Sequence, residues 1–370
     1  MKKISLFFIT IFCFSGNVNA QQQQYPNVSG SVLMQLEVDR VISTKKQGIS
    51  PNNSYVYSEP KLSLNFNRNW SLRTEWRLQQ NNQLTTRNDE KPERYRTFLS
   101  NDRGVGLGNT GLIVEQLKVH FANEDMEFSA GKFDPTFGTA HNKAKRLGVF
   151  TSQFTEDYNL REKIGANLTA LLESSKISIN GFFNDSTDLS KSALSNRGRA
   201  KRQDGVAGNT GTLSSYSISM EGHDPFGIKN WNYNIGYRTL GVDNIANRTA
   251  EKGYVVGSEY LYKAGSSTYI IPFIEIVKMR NFTGERGRDA LYTTIAGILR
   301  YSSWTASISS LRRSISTTPT GGSSNGRQLQ LSAGYKFTDN FTVDVSRADI
   351  REDGSKGAVF GAMFSYFYRF

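Results

Sequence analysis

Cysteine is all but missing from this chain: its 370 residues hold one, Cys13. That residue lies in a short apolar run, Ile4 to Phe14, which follows Lys2 and Lys3 and precedes Val18-Asn19-Ala20. The pattern is that of an export signal cut after Ala20. The residue before a lipidated cysteine is small, whereas Phe12 stands here, so cleavage at Cys13 is not expected. The exported chain then has no thiol, which excludes a disulfide framework and thiolate chemistry. Long hydrophobic runs are missing too. The first run, of roughly ten residues, is too short for a membrane helix, and nothing later approaches the ~20 residues one needs. Proline is scarce, with 8 residues, whereas glycine (33) and aromatics (12%) are plentiful, and the mean hydropathy is −0.48. An exported chain of this kind is a soluble β-rich protein or a transmembrane barrel, in which only alternate residues meet lipid. Acidic residues are in deficit, 33 against 45 basic, for a net charge of +12. A basic lumen would favour anions, and a basic outer surface would meet lipopolysaccharide phosphates. Nucleic acid belongs to the wrong compartment.

What the chain has is period-two alternation almost from end to end. In Trp70 to Gln79, Trp70, Leu72, Thr74, Trp76 and Leu78 share one face, and Ser71, Arg73, Glu75, Arg77 and Gln79 share the other. An arginine facing lipid at mid-bilayer costs about 2–4 kcal/mol. Two on one strand turn that face toward water and fix the register, because a one-residue slip swaps the faces. Similar alternation runs through 28–38, 61–66, 163–170, 231–238, 328–337 and 341–346. The stretches 267–279 and 290–301 read as strands whose register is not evident.

Connections alternate in length. Short ones fall at 67–69, 123–124, 173–175, 264–266, 302–303 and 338–340, with a somewhat longer one at 222–229. Long ones fall at 43–53, 80–111, 134–160, 185–212, 241–252, 281–289, 316–326 and 348–356. This predicts an all-β transmembrane antiparallel β-barrel of about 16 strands, with short periplasmic turns and long extracellular loops. The expected layout is a signal peptide (1–20), a polar tail (21–26) and the barrel (27–370). Gln21 to Gln24 is too short a tail for a plug domain.

The last strand alternates Phe364, Tyr366, Tyr368 and Phe370 and ends on that phenylalanine, which resembles the C-terminal signature of outer-membrane barrels. Within the segment 115–140, Gly131-Lys132-Phe133 leads through Pro135, Phe137 and Gly138. This segment resembles the phosphate-selective porins O and P and their relatives. Outside it the likeness is one of general layout, with fragments at Gly181-Phe182-Phe183 and Gly257-Ser258-Glu259-Tyr260. The resemblance implies a sixteen-stranded barrel, usually a homotrimer, whose third long loop folds into the lumen as a constriction. It does not carry phosphate selectivity across, because the family's arginine ladder and lysine cluster do not align here. Phosphate stays one candidate among small anionic or neutral solutes.

A pore selects by charge at its narrowest point. The expected constriction loop, 134–160, carries Lys143, Lys145 and Arg146 against Asp134, Glu156 and Asp157. Wall positions expected to face inward are Arg73, Arg77, Lys118, Arg161, Lys163, Arg238, Arg300 and Arg313, opposed by Glu75, Glu259 and Glu275. Two readings stay open: these bases attract anions, or they pair with inward acids across strands and hold the wall. Arg197, Arg199, Lys201 and Arg202 form a further basic cluster in a polar loop, read as solvated or lipid-bridging.

Gly106-Leu107-Gly108-Asn109-Thr110-Gly111 fits a dinucleotide fingerprint letter for letter, but a strand follows it instead of a helix. Asp349, Asp353 and Gly354 lack the helices and closing glutamate of a calcium loop. No cofactor or metal site is expected. A barrel enzyme of phospholipase or protease type is the rival from another class, followed by a soluble exported binding protein. The three histidines, His120 on a wall strand, His141 in the constriction loop and His223 near a periplasmic turn, are scattered, and no catalytic residue is assigned.

Overall fold

The computed structural model describes residues 24–45, 51–80, 110–144, 147–150, 154–194, 201–202, 205–243, 247–318 and 321–370. The signal segment, residues 21–23 of the polar tail, residues 106–109 of the glycine run, and Lys145, Arg146, Arg197 and Arg199 lie outside these residues.

Sixteen long strands follow one another around a single sheet: β1 (Asn27–Thr44), β2 (Asn52–Asn65), β3 (Trp70–Gln80), β4 (Thr110–Ala122), β5 (Met126–Phe133), β6 (Lys163–Leu172), β7 (Ser175–Asn184), β8 (Ser215–His223), β9 (Trp231–Leu240), β10 (Glu251–Tyr260), β11 (Thr268–Arg280), β12 (Arg288–Tyr301), β13 (Trp304–Thr317), β14 (Gly322–Lys336), β15 (Phe341–Glu352) and β16 (Ser355–Arg369). Each pairs antiparallel with its neighbours in sequence. The sheet closes because β1 pairs with both β2 and β16, with Leu36 opposite Phe364 and Glu37 opposite Met363. Both ends of the barrel therefore meet at the short-turn rim, where Gly30 and Phe370 exchange backbone hydrogen bonds of 2.9 and 3.0 Å. No helix among the described residues is long and apolar enough to cross a membrane.

The sides are inverted relative to a soluble protein. Ile179, Ile235 and Leu331 are 52–55% exposed on the outer face, while Gln328 and Gln330 are 0% exposed inside. Such an outer face is stable only against hydrocarbon. Aromatic pairs mark its lower edge, with Trp70–Phe121 at 5.0 Å and Trp304–Tyr335 at 4.7 Å between ring centres. Tyr216, Tyr237 and Tyr254 form a row across β8, β9 and β10 nearer the other end. Rings with one apolar and one polar end suit the two membrane interfaces.

Several of the expected long loops are shorter than the sequence suggests. β13 and β14 run on to Thr317 and from Gly322, β15 and β16 are joined by a turn at Asp353-Gly354, and β11 and β12 are linked by 281–287. Beyond the membrane neither face needs apolar residues, so a Ser- and Asn-rich strand carries no period-two signal.

β5 is the shortest of the sixteen. Its early end leaves the upper edge of β4 without its neighbour, and the two-residue strand Ser192–Ala193 pairs there with Leu112 and Ile113. Lys132 seals the same corner. Its ammonium is fully buried, 2.9 Å from Glu162, 2.8 Å from Asp185 and 2.9 Å from the carbonyl of Leu189. At this point the chain turns inward.

Candidate functional site in the barrel lumen

The segment between Phe133 and Lys163 lies inside the barrel, because its partners are inward-facing wall residues. Its outgoing limb is held by Glu275 on β11. That carboxylate is 1% exposed and accepts the backbone N–H groups of Thr139 (2.6 Å) and Ala140 (3.0 Å) and the Tyr158 hydroxyl (3.0 Å) from the returning limb. Burial pushes the Tyr158 phenol up, so it remains a donor to that carboxylate. The tip reaches the far wall. The Leu147 carbonyl accepts from Ser307 (2.6 Å) and Ser332 (2.9 Å), the Phe150 amide donates to Gln330 (2.8 Å), and Gln328 donates to the Phe150 carbonyl (2.6 Å). On the way back, Asp157 accepts from Arg313 (3.2 Å) and Tyr292 (3.1 Å), and Arg238 donates to the Tyr158 carbonyl.

Apolar packing follows the same path. Phe137, Phe154, Tyr158 and Leu160 bury against Val255, Val277, Met279 and Leu311, while Phe150 buries against Val41, Ala348 and Val359. Each ring contributes about 1.5–3 kcal/mol by leaving water. Wall glycines make the sockets: a Cβ on Gly326 would stand 2.6 Å from the Phe154 ring, and one on Gly361 2.6 Å from the Phe150 ring. Gly148 lies so close to Ser332 and Ser346 that no side chain fits. Apolar residues on the inner wall explain why 267–279 and 290–301 show no clear register. Ile271, Phe273, Val277, Met279, Tyr292 and Ile298 point inward onto the loop, so both faces of β11 and β12 are greasy.

The bases expected on the wall divide into two groups. Arg77 pairs with Glu115, Arg238 with Glu251 at 2.6 Å, and Arg313 with Glu352 at 2.6 Å as well as Asp157, all with side chains at most 8% exposed. Lys143 lies 3.5 Å from Glu259 and above the Phe273 ring. Lys163 donates to Asn184 (2.6 Å), and Arg300 stands half-buried on the inner face of β12. Arg161 is not on a strand, contrary to the expectation. It sits on the returning limb of the loop, bound to Glu156 (2.6 Å) and Glu115 (3.1 Å), because β6 starts only at Lys163.

Arg73 and Lys118 make up the second group. They face each other directly across β3 and β4. Neither forms an ion pair among the described residues: Arg73 donates to Ser71 (3.1 Å) and Lys118 to the side-chain carbonyl of Gln116 (2.7 Å). With Lys61, which bridges Glu59 (2.8 Å) and Glu75 (3.0 Å), they border a groove of about 450 Å³ on the inner wall.

Sequence alternation does not single out Glu115. β3 and β4 slip register between Glu75 and Trp76, so a β-bulge turns both Glu115 and Gln116 inward. Strict alternation hides one of them, and only the bulge reveals it. The extra carboxylate acts on Asp134, which accepts the Glu162 amide at 2.7 Å. Burial, then the Glu115 charge, push the Asp134 carboxyl up to about 7. It is neutral below that pH and anionic above it, so the lumen gains one negative charge between pH 6 and 8. Permeation of cations relative to anions is expected to rise over that interval, read as a shift of reversal potential in a salt gradient, and Asp134→Asn is expected to abolish the step.

The histidines do not converge. His120 contacts Ser129 at 3.0 Å on the inner wall, His141 lies 3.5 Å from Glu156, and His223 lies 3.2 Å from Asp224 at the turn rim.

Comparison with solved structures places this geometry. OmpF of Salmonella typhi, in complex with daunomycin, matches with a TM-score of 0.61 at 12% identity, over 92% of this chain and 97% of that one. OpdK of Pseudomonas aeruginosa matches at 0.55 and 9% identity over 93% and 99%, and the outer-membrane channel DcaP of Acinetobacter baumannii at 0.55 and 10% over 92% and 96%. The chain has the fold of the outer-membrane porins. OmpT of Vibrio cholerae, solved in a trimer form, shares the fold at a TM-score of 0.52 and 11% identity over 92% and 99%. No protein-family model and no curated protein matches the sequence. Within the porin fold the loop after β5 occupies the lumen, and the groove beside Arg73 and Lys118 lies on the wall opposite β11 and β12.

Proposed function

We propose that the protein is an outer-membrane porin, a passive diffusion channel for small hydrophilic solutes that prefers anions, with the segment 134–160 as its constriction. The observation that carries the preference is the directly opposed couple of Arg73 and Lys118 on the inner wall, which forms no ion pair among the described residues. Like charges directly opposite each other destabilise a sheet. A wall that keeps them is one where passing anions offset the repulsion. Arg77, Arg238 and Arg313 have a different role in this reading: each is neutralised by a buried acid and holds the wall or the loop.

The test is planar-bilayer recording of the folded barrel in a potassium chloride gradient. A reversal potential of the anion-selective sign supports the reading, and a cation-selective sign ends it. Phosphate is assigned no special place, but replacing chloride with phosphate in the same recording ranks the two. A homotrimer fits the fold, and cross-linking in detergent is expected to yield a three-subunit band.

The protein is read as a channel and not an enzyme. The specific rival is the buried Ser129–His120 contact, which has a hydrolase-like pairing of residue types. Lipase and peptidase assays on the folded barrel are expected to show no activity sensitive to His120→Ala.

A further inference from the structure

Side chains on the outer wall are mostly apolar, and a dense exception lies near the long-loop end of four consecutive strands. There Arg312 of β13 stands opposite Arg327 of β14, Arg327 opposite Arg351 of β15, and Arg351 opposite Lys356 of β16. All four are exposed. They alternate with buried inward residues such as Arg313, Gln328 and Ile350, so they point outward. Neighbouring strands lie ~4.8 Å apart, so the row spans about 14 Å.

None of the four bases forms an ion pair among the described residues. The acids nearby are otherwise engaged: Asp349 is held by Arg347 at 3.3 Å, Glu352 points inward to Arg313, and Asp353 accepts from Ser324 and from the Asn325 amide. Lys45 adds to the charge, its amide bonded to the Lys356 carbonyl, and it borders a groove of about 490 Å³ between Arg327, Asp349, Arg351 and Lys356. Three like-charged couples in succession are unfavourable in a sheet. Phosphate, which arginine can hold by two parallel hydrogen bonds, is the group that suits them.

Height identifies the source of the phosphate. Below the row the outer face first carries the Arg347–Asp349 pair, Arg347 standing between Leu331 and Phe360 with Arg40 opposite Phe360, and then turns apolar, with Ile308 and Val345 exposed. Lys356 lies four residues beyond Phe360 on β16, roughly 10 Å along the membrane normal for a strand tilted about 40°. That is headgroup level in the leaflet on the long-loop side. We propose that Arg312, Arg327, Arg351 and Lys356 form a binding site for a phosphorylated glycolipid of the outer leaflet, of lipid A type. Two phosphates at opposite ends of its disaccharide would lie along the row, and its acyl chains would lie below Arg347, on Ile308 and Val345. This inference rests on the outer-membrane reading but not on the pore, and conductance is measured beside it so that the two can fail separately.

The test is native mass spectrometry of the folded full-length barrel in detergent with bis-phosphorylated lipid A, dephosphorylated lipid A or inorganic phosphate. The wild type is expected to retain the bis-phosphorylated lipid, to bind the dephosphorylated lipid weakly, and to be unaffected by millimolar phosphate. The double variant Arg327→Ser/Arg351→Ser is expected to lose about 30-fold in affinity, each base contributing as it does at an anionic lipid surface, with conductance unchanged. Lys252→Ser/Arg280→Ser removes an equal charge from another outward, directly opposed couple and is expected to leave the affinity near wild type. Equal loss in both variants, equal retention of the dephosphorylated lipid, or displacement by free phosphate would each overturn the site. Should the first variant fail to fold, phenylglyoxal modification of the wild type decides instead: lipid A is expected to protect Arg327 and Arg351, and absence of protection counts against the site.

Discussion

Glu275→Ala is expected to enlarge the single-channel conductance and make the open current noisy. Both limbs of the lumenal loop depend on this one carboxylate, through Thr139 and Ala140 going out and Tyr158 coming back. Truncation leaves two backbone N–H groups and a phenol without their acceptor. Each unsatisfied buried donor costs about 1–3 kcal/mol, which together exceeds what any single loop ring contributes. The strand pairings do not use this side chain, so the barrel should keep its heat-modifiable mobility on a gel while the loop loosens. Glu275→Gln retains an acceptor and should lie between the two. A current as quiet and as small as the wild type's in Glu275→Ala would show that the tip contacts through Gln328 and Gln330 suffice.

Arg73→Glu combined with Lys118→Glu is expected to invert the ion preference. A unit charge about 7 Å from a passing ion contributes roughly 2 kcal/mol at an effective permittivity near 20. Two reversals at one level of the wall outweigh every other charge difference that a single pair of substitutions can make there. Among the described residues these side chains bond to Ser71 and Gln116 and form no ion pair, so the exchange breaks none there. Screening acts over about 10 Å at 0.1 M salt, so the inversion should be largest in dilute electrolyte. An unchanged sign of reversal potential at low salt would mean that ions pass the lumen elsewhere.

The barrel itself is legible in the sequence because lipid enforces it. Trp70 to Gln79 can be assigned its faces from cost alone, and the structure turns Ser71, Arg77 and Gln79 inward and leaves Leu72 exposed outside. Legibility ends where lipid stops acting. The polar upper parts of β13 to β16 read as loops. β11 and β12 read as ambiguous because their inner faces carry Phe273, Val277 and Tyr292 for the loop to sit on. The charges are legible one by one but not as pairs. Arg313 finds Asp157 at a sequence distance of 156 residues, and no local pattern announces such a partner. Nor does alternation reveal Glu115, which the bulge places beside Gln116. The opposed couple of Arg73 and Lys118 needs the β3–β4 register before its members can be told apart from the wall-holding arginines.

A porin wall requires adjacent residues of β3 to face different media. The chain's one cysteine, Cys13, lies ahead of the strands and can be removed, so a single new thiol reports its own surroundings. The decisive measurement is conductance of Arg73→Cys and Leu72→Cys barrels during exposure to a membrane-impermeant, negatively charged methanethiosulfonate. The thiol at position 73 is expected to react and lower the current, and the thiol one residue earlier to stay unmodified in lipid. Equal reaction at both positions, or reaction at 72 alone, would contradict a water-filled lumen bounded by this wall.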